Sequence, residues 1–312
     1  MFSHYFGNYL LGRRLLTPAQ YKEILASLDS VHVKLGMLAI ESGLMTAQQV
    51  NEVHTLQMTL DKRFGEIAVE RGCLTRENLE GLLGTQNKRH LALSQALLDK
   101  GWFSFEQLED ALADFKHETN LSDAEIQAVK DNDVDALVAA YFRNAELTAA
   151  LEAAPVEGAV DAPARLIQDY VALFVRNLVR FVDPGVVITG SACVSSHDFE
   201  WSVSQEITGS VAMRTAITGE GLALAGMGGR FAKMDLAEMD AVAQDAIGEL
   251  LNCHNGLFLS KLSNDGLDLD LSPPVTHHRR TFLSRSSLCV ISITLPTGSF
   301  ELLITWGSPA IA

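Results

Sequence analysis

A chain of 312 residues has room for about two domains, and with 47% of them hydrophobic it can bury a core, which excludes wholesale disorder. A formal charge of −15 leaves no general basic field, which excludes broad binding to nucleic acid or to an anionic membrane. The four cysteines (Cys73, Cys193, Cys253, Cys289) are scattered, with no pair at metal-ligand spacing, so free thiols in a reducing compartment are expected. The N-terminus lacks the basic start and apolar core of a signal peptide. No apolar run approaches the roughly 20 residues that span a bilayer, so the expected protein is cytoplasmic and not in a membrane.

The first hundred residues repeat with a period of 29. Aligning Tyr5, Lys34, Arg63 and Ala92 brings Gly7, Gly36 and Gly65 into one column, with Ser94 in the fourth copy. A second glycine column reads Gly43, Gly72 and Gly101, with Arg14 in the first copy. Thr17, Thr46, Thr75 and Ser104 form a hydroxyl column. Gln20, Gln49, Asn78 and Gln107 follow three residues later. This is close to a capping box, in which a hydroxyl accepts from an orphan backbone N–H and the amide reaches back; Asn78 is its imperfect member. Each copy is therefore read as two helices. A short one, such as Leu38 to Glu41, ends at the second glycine in a left-handed cap, and a helix of about ten residues follows.

The two middle copies, Lys34–Gln57 and Arg63–Gln86, each open with a basic residue, an apolar residue and glycine and end in Gln. Five residues, Met58–Lys62, join them. This pattern resembles the MshEN domain, also found at the N-terminus of type II secretion and pilus ATPases. The resemblance implies cyclic di-GMP as ligand, with Lys34, Leu35, Gly36, Gln57, Arg63, Phe64, Gly65 and Gln86 as its contacts. Arginine suits a guanine face and a phosphate, and glycine allows close backbone approach. Lys34 departs from the family's arginine, and Val50 and Val53 stand where leucine is usual. The outer copies lack the basic start and the final Gln and are read as structural caps.

The chain is read as an all-α repeat domain over 1–118, an acidic helical connector over 119–163, and an α/β domain of α+β layered type over 164–312. In the connector, Ser122–Glu125 is a helix start, Asp135–Leu151 is periodic, and Pro155–Pro163 marks the boundary. An amphipathic helix is expected over Ala164–Val182. Strands are expected at Val186–Val194, Trp201–Ile207, Ser210–Thr215 and Gly221–Gly226, with a late hairpin of Ser287–Thr294 and Ser299–Trp306. Gly226–Gly229 lacks phosphate-loop spacing and is read as a flexible strand end. His277-His278-Arg279-Arg280 is read as a solvated turn.

Between the strands lies an amphipathic run from about Asp235 to His254. Met239, Val242, Ala243, Ala246, Ile247, Leu250 and Leu251 form its expected core face. Asp245, Glu249 and Asn252 form a polar stripe on the other side. Cys253 is read as a packed thiol, and His254 as following the helix, close to its C-terminal dipole.

Gly209–Met213, the pattern Glu249-x-x-Asn252-x-x-x-Gly256, a later Ser-Pro-Pro and the closing hairpin together resemble the CheX/CheC family of chemotaxis phosphatases. One copy of the motif favours the CheX form. The resemblance implies hydrolysis of the aspartyl phosphate of a response-regulator receiver. Asn252 would orient the attacking water, Glu249 would bind the receiver lysine, and Asp245 would contribute to receiver binding. The receiver brings its own Mg²⁺, and no cofactor or metal of this chain is implied. A homodimer is expected. The alternative is a non-catalytic adaptor that binds a receiver, or a secretion or pilus component, in response to cyclic di-GMP.

Overall fold

The computed structural model describes residues 2–57, 60, 62–84, 89–119, 121–143, 163–264, 266–307 and 310–311. The chain divides into two compact units, Met1–Asp131 and Asn132–Ala312.

In the first unit the 29-residue period becomes four helix pairs. These are α1 (Phe2–Gly12) with α2 (Pro18–Ser27), α3 (Leu35–Glu41) with α4 (Ala47–Gln57), α5 (Phe64–Glu70) with α6 (Arg76–Gly84), and α7 (Ala92–Asp99) with α8 (Phe105–Thr119). The capping box forms in every copy. The N–H groups of Gln20, Gln49, Asn78 and Gln107 donate to the hydroxyls of Thr17, Thr46, Thr75 and Ser104 at 3.1–3.3 Å. The amide oxygens accept in return from the backbone N–H groups of the same four residues. Asn78 therefore caps as well as the glutamines do.

The second glycine column takes a left-handed backbone, with φ of +66° at Gly43, +71° at Gly72 and +67° at Gly101, while Arg14 bears φ of +58° in the first copy. The first column answers a different need. A Cβ at Gly7, Gly36 or Gly65 would lie 2.3 Å from Tyr21, 2.8 Å from Val50 or 2.6 Å from Leu79, each on the second helix of its own copy. The absent side chain sets how closely the two helices of a pair pack.

A further helix, α9 (Asp123–Asp131), follows the repeats, with its start capped by Ser122 and Glu125. Lys130 on α9 pairs with Glu41, which also accepts from His90 at 3.3 Å. The second unit begins with α10 (Val134–Tyr141). The expected connector thus contributes one helix to each unit. Residues 144–162, which include the rest of the periodic run and most of the expected boundary, lie outside the described residues.

In the second unit α11 (Pro163–Phe181) buries Ile167, Tyr170, Val171, Phe174 and Leu178. Two expected strands, Val186–Val194 and Trp201–Ile207, form one long strand, β1 (Val187–Gly209), with register shifts after Ile188 and Val194. The others are β2 (Met213–Gly219), β3 (Leu269–Leu271), β4 (Val275–Leu295), β5 (Gly298–Trp306) and β6 (Ala310–Ile311). All pairings are antiparallel. β1 pairs with β2, β2 with β5, β5 with β4, and β4 again with β1, so the ladder closes on itself. Phe199, Ala216, Phe282, Leu288, Val290 and Leu303 fill one side of it. Helices cover the other.

Several expectations fail here, through packing, capping or strand pairing. Gly221–Gly226 is not a strand, and Gly226–Gly229 is not a strand end. Both lie in a helix, α12 (Gly221–Ala232). It crosses α13 (Ala241–Asn264) so closely that a Cβ at Gly228 would stand 3.3 Å from the Ala243 carbonyl oxygen. Tertiary approach overrides the poor helix propensity of glycine. The helix expected from Asp235 begins instead at Ala241, where Asp240 accepts from the Ala243 N–H at 2.9 Å, and it runs on to Asn264. The His277–Arg280 segment is not a turn but part of β4, and His278 stacks on Trp201 at 4.1 Å.

The β1–β2 corner depends on Gly209. Its φ is +109°, and a Cβ would meet the Asp268 carbonyl oxygen at 2.3 Å. Gly209→Ala should therefore cost at least about 2 kcal/mol. Calorimetry of the full-length variant should show the transition of this unit lowered by about 4–8 °C.

Candidate active site

The site is built on one exposed line of α13 and on the buried floor beneath it. Val242, Asp245, Glu249 and Cys253 are exposed at spacings of three and four. Val242, expected in the core, is 44% exposed. Cys253 is exposed rather than packed, and its Sγ donates to Glu249 Oε1 at 3.4 Å. Desolvation and then the Glu249 carboxylate raise the pKa of this thiol, so it stays a donor and not a thiolate. Asn252 is half-buried at the edge of the same line.

The floor is a chain of carboxamides and hydroxyls. Gln205, on the face of β1 turned to α13, is 1% exposed. Its Nε2 donates to Asn252 Oδ1 and to the Ser272 carbonyl oxygen, each at 2.8 Å. Its Oε1 accepts from Asn255 Nδ2 at 2.8 Å. Asn255 Nδ2 also donates to Thr215 Oγ1 at 3.1 Å, and Asn255 Oδ1 accepts from the Tyr170 hydroxyl at 2.6 Å. Burial pushes the Tyr170 phenol well above its ordinary pKa, so it remains a donor.

The Ser-Pro-Pro segment belongs to this floor. Ser272 N–H donates to the Glu206 carbonyl oxygen, and Ser272 Oγ accepts from the Glu206 N–H, both at 3.0 Å. Gly248 lets the segment approach α13, since its Cβ position is 3.5 Å from Pro274. Gly256 has open space around it among the described residues, none of which requires a glycine there by close contact.

His254 does not follow the helix but lies within it, fully buried. It is edge-on to Tyr170 at 4.4 Å and to Phe174 at 5.0 Å, and its Nδ1 lies 3.1 Å from Asn177 Nδ2. Burial lowers its pKa to about 3.

The structure places Glu249 and Asn252 one turn apart, as the sequence required, with Asp245 one turn before Glu249. Gln205, Asn255, Tyr170 and Thr215 were not foreseen. Their signal in the sequence is faint: a polar residue at a core position of a helix, and a Gln inside a strand.

The nucleotide candidates are placed less simply. Leu35 and Phe64 fill the seam between the second and third copies. A Cβ at Gly65 would lie 3.2 Å from Leu35, and one at Gly36 would lie 3.4 Å from Phe64. Lys34 Nζ pairs with Asp99 at 2.6 Å, and the Lys34 N–H donates to Gln95 at 2.9 Å. Arg63 is exposed, and its backbone N–H donates to Glu66 at 3.0 Å. Gln57 is half-buried at the end of α4. Gln86 lies outside the described residues. No helix among the described residues is long and apolar enough to cross a membrane.

A helix layer on an antiparallel sheet, with a carboxylate and a carboxamide one turn apart on the exposed helix face, defines the class to which the second unit is compared. Residues 202–295 match the family model described as chemotaxis phosphatase CheX. No curated protein matches the chain. Among solved structures, a CheC-like superfamily protein from Shewanella sp. PV-4 is 15% identical over 46% of this chain and 97% of its own, with a TM-score of 0.41. A chemotaxis protein CheX from Desulfovibrio desulfuricans is 16% identical over 46% of this chain and 99% of its own, at 0.40. A CheX–CheY–BeF3–Mg²⁺ complex from Borrelia burgdorferi matches at 15% identity over 46% of this chain and 98% of that one, at 0.39.

Acid should loosen this region through His254. The folded protein holds its pKa near 3 against 6.5 for the free side chain, so the unfolded chain takes up the proton first. Stability is then full above about pH 6.5 and falls towards pH 3, by roughly 1.4 kcal/mol per unit within that window. Denaturant unfolding at a series of pH values should show a shallower decline between about pH 6.5 and 5 for His254→Leu than for the wild type. Equal slopes would show that the buried imidazole is not the group that titrates.

Proposed function

We propose that the second unit is a phosphatase that hydrolyses the aspartyl phosphate of a response-regulator receiver. The observation that carries this reading is the half-buried Asn252 carboxamide, held from below by Gln205 and set one turn from the exposed Glu249, within the segment that matches the CheX family model. An acyl phosphate is already reactive, so a catalyst needs chiefly to position water and exclude the rest of the solvent. Asn252 enters the receiver's site and orients the water. The water oxygen bonds to phosphorus, the bond from phosphorus to the aspartyl oxygen breaks, and the receiver carboxylate leaves. Glu249 holds the receiver's lysine, and Asp245 adds a second carboxylate one turn away. The receiver brings its own Mg²⁺.

Asn252→Ala should lower the rate of receiver dephosphorylation by at least about a hundredfold while leaving receiver affinity within a few fold. Radiolabelled or Phos-tag phosphate-release assays and calorimetry separate the two effects. An unchanged rate would remove Asn252 from its role. Glu249→Ala should act chiefly on affinity.

For the first unit, we propose that the second and third repeat copies bind cyclic di-GMP and that the ligand tunes the phosphatase. The exposed Arg63 beside the Leu35–Phe64 seam supports this reading, because a guanidinium next to apolar side chains suits a guanine and a phosphate. The engagement of Lys34 by Asp99 favours the other reading, a docking array without a nucleotide. Titration calorimetry with cyclic di-GMP decides between them. Saturable binding that Arg63→Ala abolishes supports the first, and no heat at high micromolar ligand supports the second. For the whole chain a homodimer is proposed on the CheX resemblance of the second unit, and light scattering that shows only monomer rejects it.

A further inference from the structure

We propose that Gln205 is the positioning residue for Asn252, and that it holds the Asn252 carboxamide with its oxygen turned inward and its NH2 turned out towards the partner. The catalytic consequence rests on the phosphatase reading above; the orientation itself does not.

A side-chain amide cannot be oriented from its shape alone, because oxygen and nitrogen are nearly alike. Here the surroundings decide. The Ser272 carbonyl oxygen can only accept, and it lies 2.8 Å from one end of the Gln205 amide, so that end is the NH2. The second hydrogen of the same nitrogen points to Asn252 at 2.8 Å, so Asn252 must present its oxygen there. The other end of Gln205 is then Oε1, and it accepts from Asn255 Nδ2 at 2.8 Å. The Thr215 and Tyr170 hydroxyls complete the chain. Gln205, Asn255, Tyr170 and Thr215 are each 1% exposed or less, so water cannot replace a missing partner. Turning Asn252 over would set its NH2 against the NH2 of Gln205, two donors face to face in a dry site.

Asn252 therefore reaches a receiver with its orientation already set. Its outward Nδ2 can donate to a phosphoryl oxygen as charge develops there, and the second lone pair of Oδ1 remains for a proton of the attacking water. No reorganisation is needed on docking. Gln205 touches neither substrate nor water and acts only through Asn252.

The test has two arms on the full-length protein. The first needs no substrate. Side-chain amide hydrogen exchange by NMR should show the Gln205 NH2 strongly protected and the Asn252 NH2 exchanging much faster. Fast exchange at Gln205, or protection of both hydrogens at Asn252, overturns the orientation. The second arm uses receiver domains phosphorylated with phosphoramidate in the presence of Mg²⁺. In Gln205→Glu the ionised carboxylate has the same shape but no donor, so it draws the Asn252 NH2 inward. The expected result is a fall in kcat of at least about tenfold with KM within about twofold. Partial recovery is expected as pH falls from about 8 to about 6, because the protonated acid regains a donor. Gln205→Met keeps the volume without any polar atom and should lose kcat at every pH. If the wild type is active and Gln205→Glu keeps the wild-type kcat across that range, the positioning role is overturned. If the wild type dephosphorylates no receiver, the phosphatase reading falls, and the exchange arm still decides the orientation.

Discussion

A carboxamide buried where water cannot reach must have every donor and acceptor met by protein. Gln205 is such a group, and the second unit is arranged so that this condition holds. Ser272 is brought to it by the pairing of the Ser-Pro-Pro segment with Glu206, and Asn255 is brought to it by α13. The burial itself follows from the closed ladder. β1 is bonded along both edges between Trp201 and Ser204 and is covered on both faces, so residues from Ser202 to Gln205 are buried. In an open sheet with one wet face, either the two serines or Gln205 would point into water.

The exposed line of α13 stands on this rigid floor. That contrast bears on function, since a side chain that must act on arrival is better held from below than left to find its rotamer. Asn252 is the point where the two regimes meet. Its oxygen belongs to the buried chain, and the rest of the group belongs to the surface. Glu249 and Cys253, one turn apart on the outer side, are tied to each other. The buried imidazole of His254 sits behind them between Tyr170 and Phe174 and links α11 to α13 by packing as much as by its bond to Asn177.

The first unit depends on a different economy of side chains. Glycine serves two ends across the repeats, and both together in the two middle copies. At Gly43, Gly72 and Gly101 it supplies a left-handed backbone, and at Gly7, Gly36 and Gly65 it admits a neighbouring helix. The second use bears on any reading of the Lys34 and Arg63 motifs as ligand contacts. The apolar residue and glycine of one motif pack against those of the other, so the seam is explained by packing alone. Among the described candidates, Arg63 at the rim of this seam is exposed and without a role in that packing.

The sequence by itself determined what is local. The repeat, its caps and its left-handed corners were legible because a capping box or a positive φ is decided within a few residues. The stripe of Asp245, Glu249 and Asn252 was legible because helical spacing alone places those residues on one face. The tertiary structure decided the rest. Gly221–Gly229 has the composition of a strand end, yet it is helical because α13 and its neighbours need the room. The His277–Arg280 segment is polar enough for a turn, yet it pairs with β1. Val242 fits the apolar period, yet it is exposed among the described residues. Gln205 and Asn252 are far apart in the chain, and only closure of the ladder under α13 brings them within hydrogen-bond reach. Local preference cannot encode that meeting, because each residue's partner is supplied by a different element.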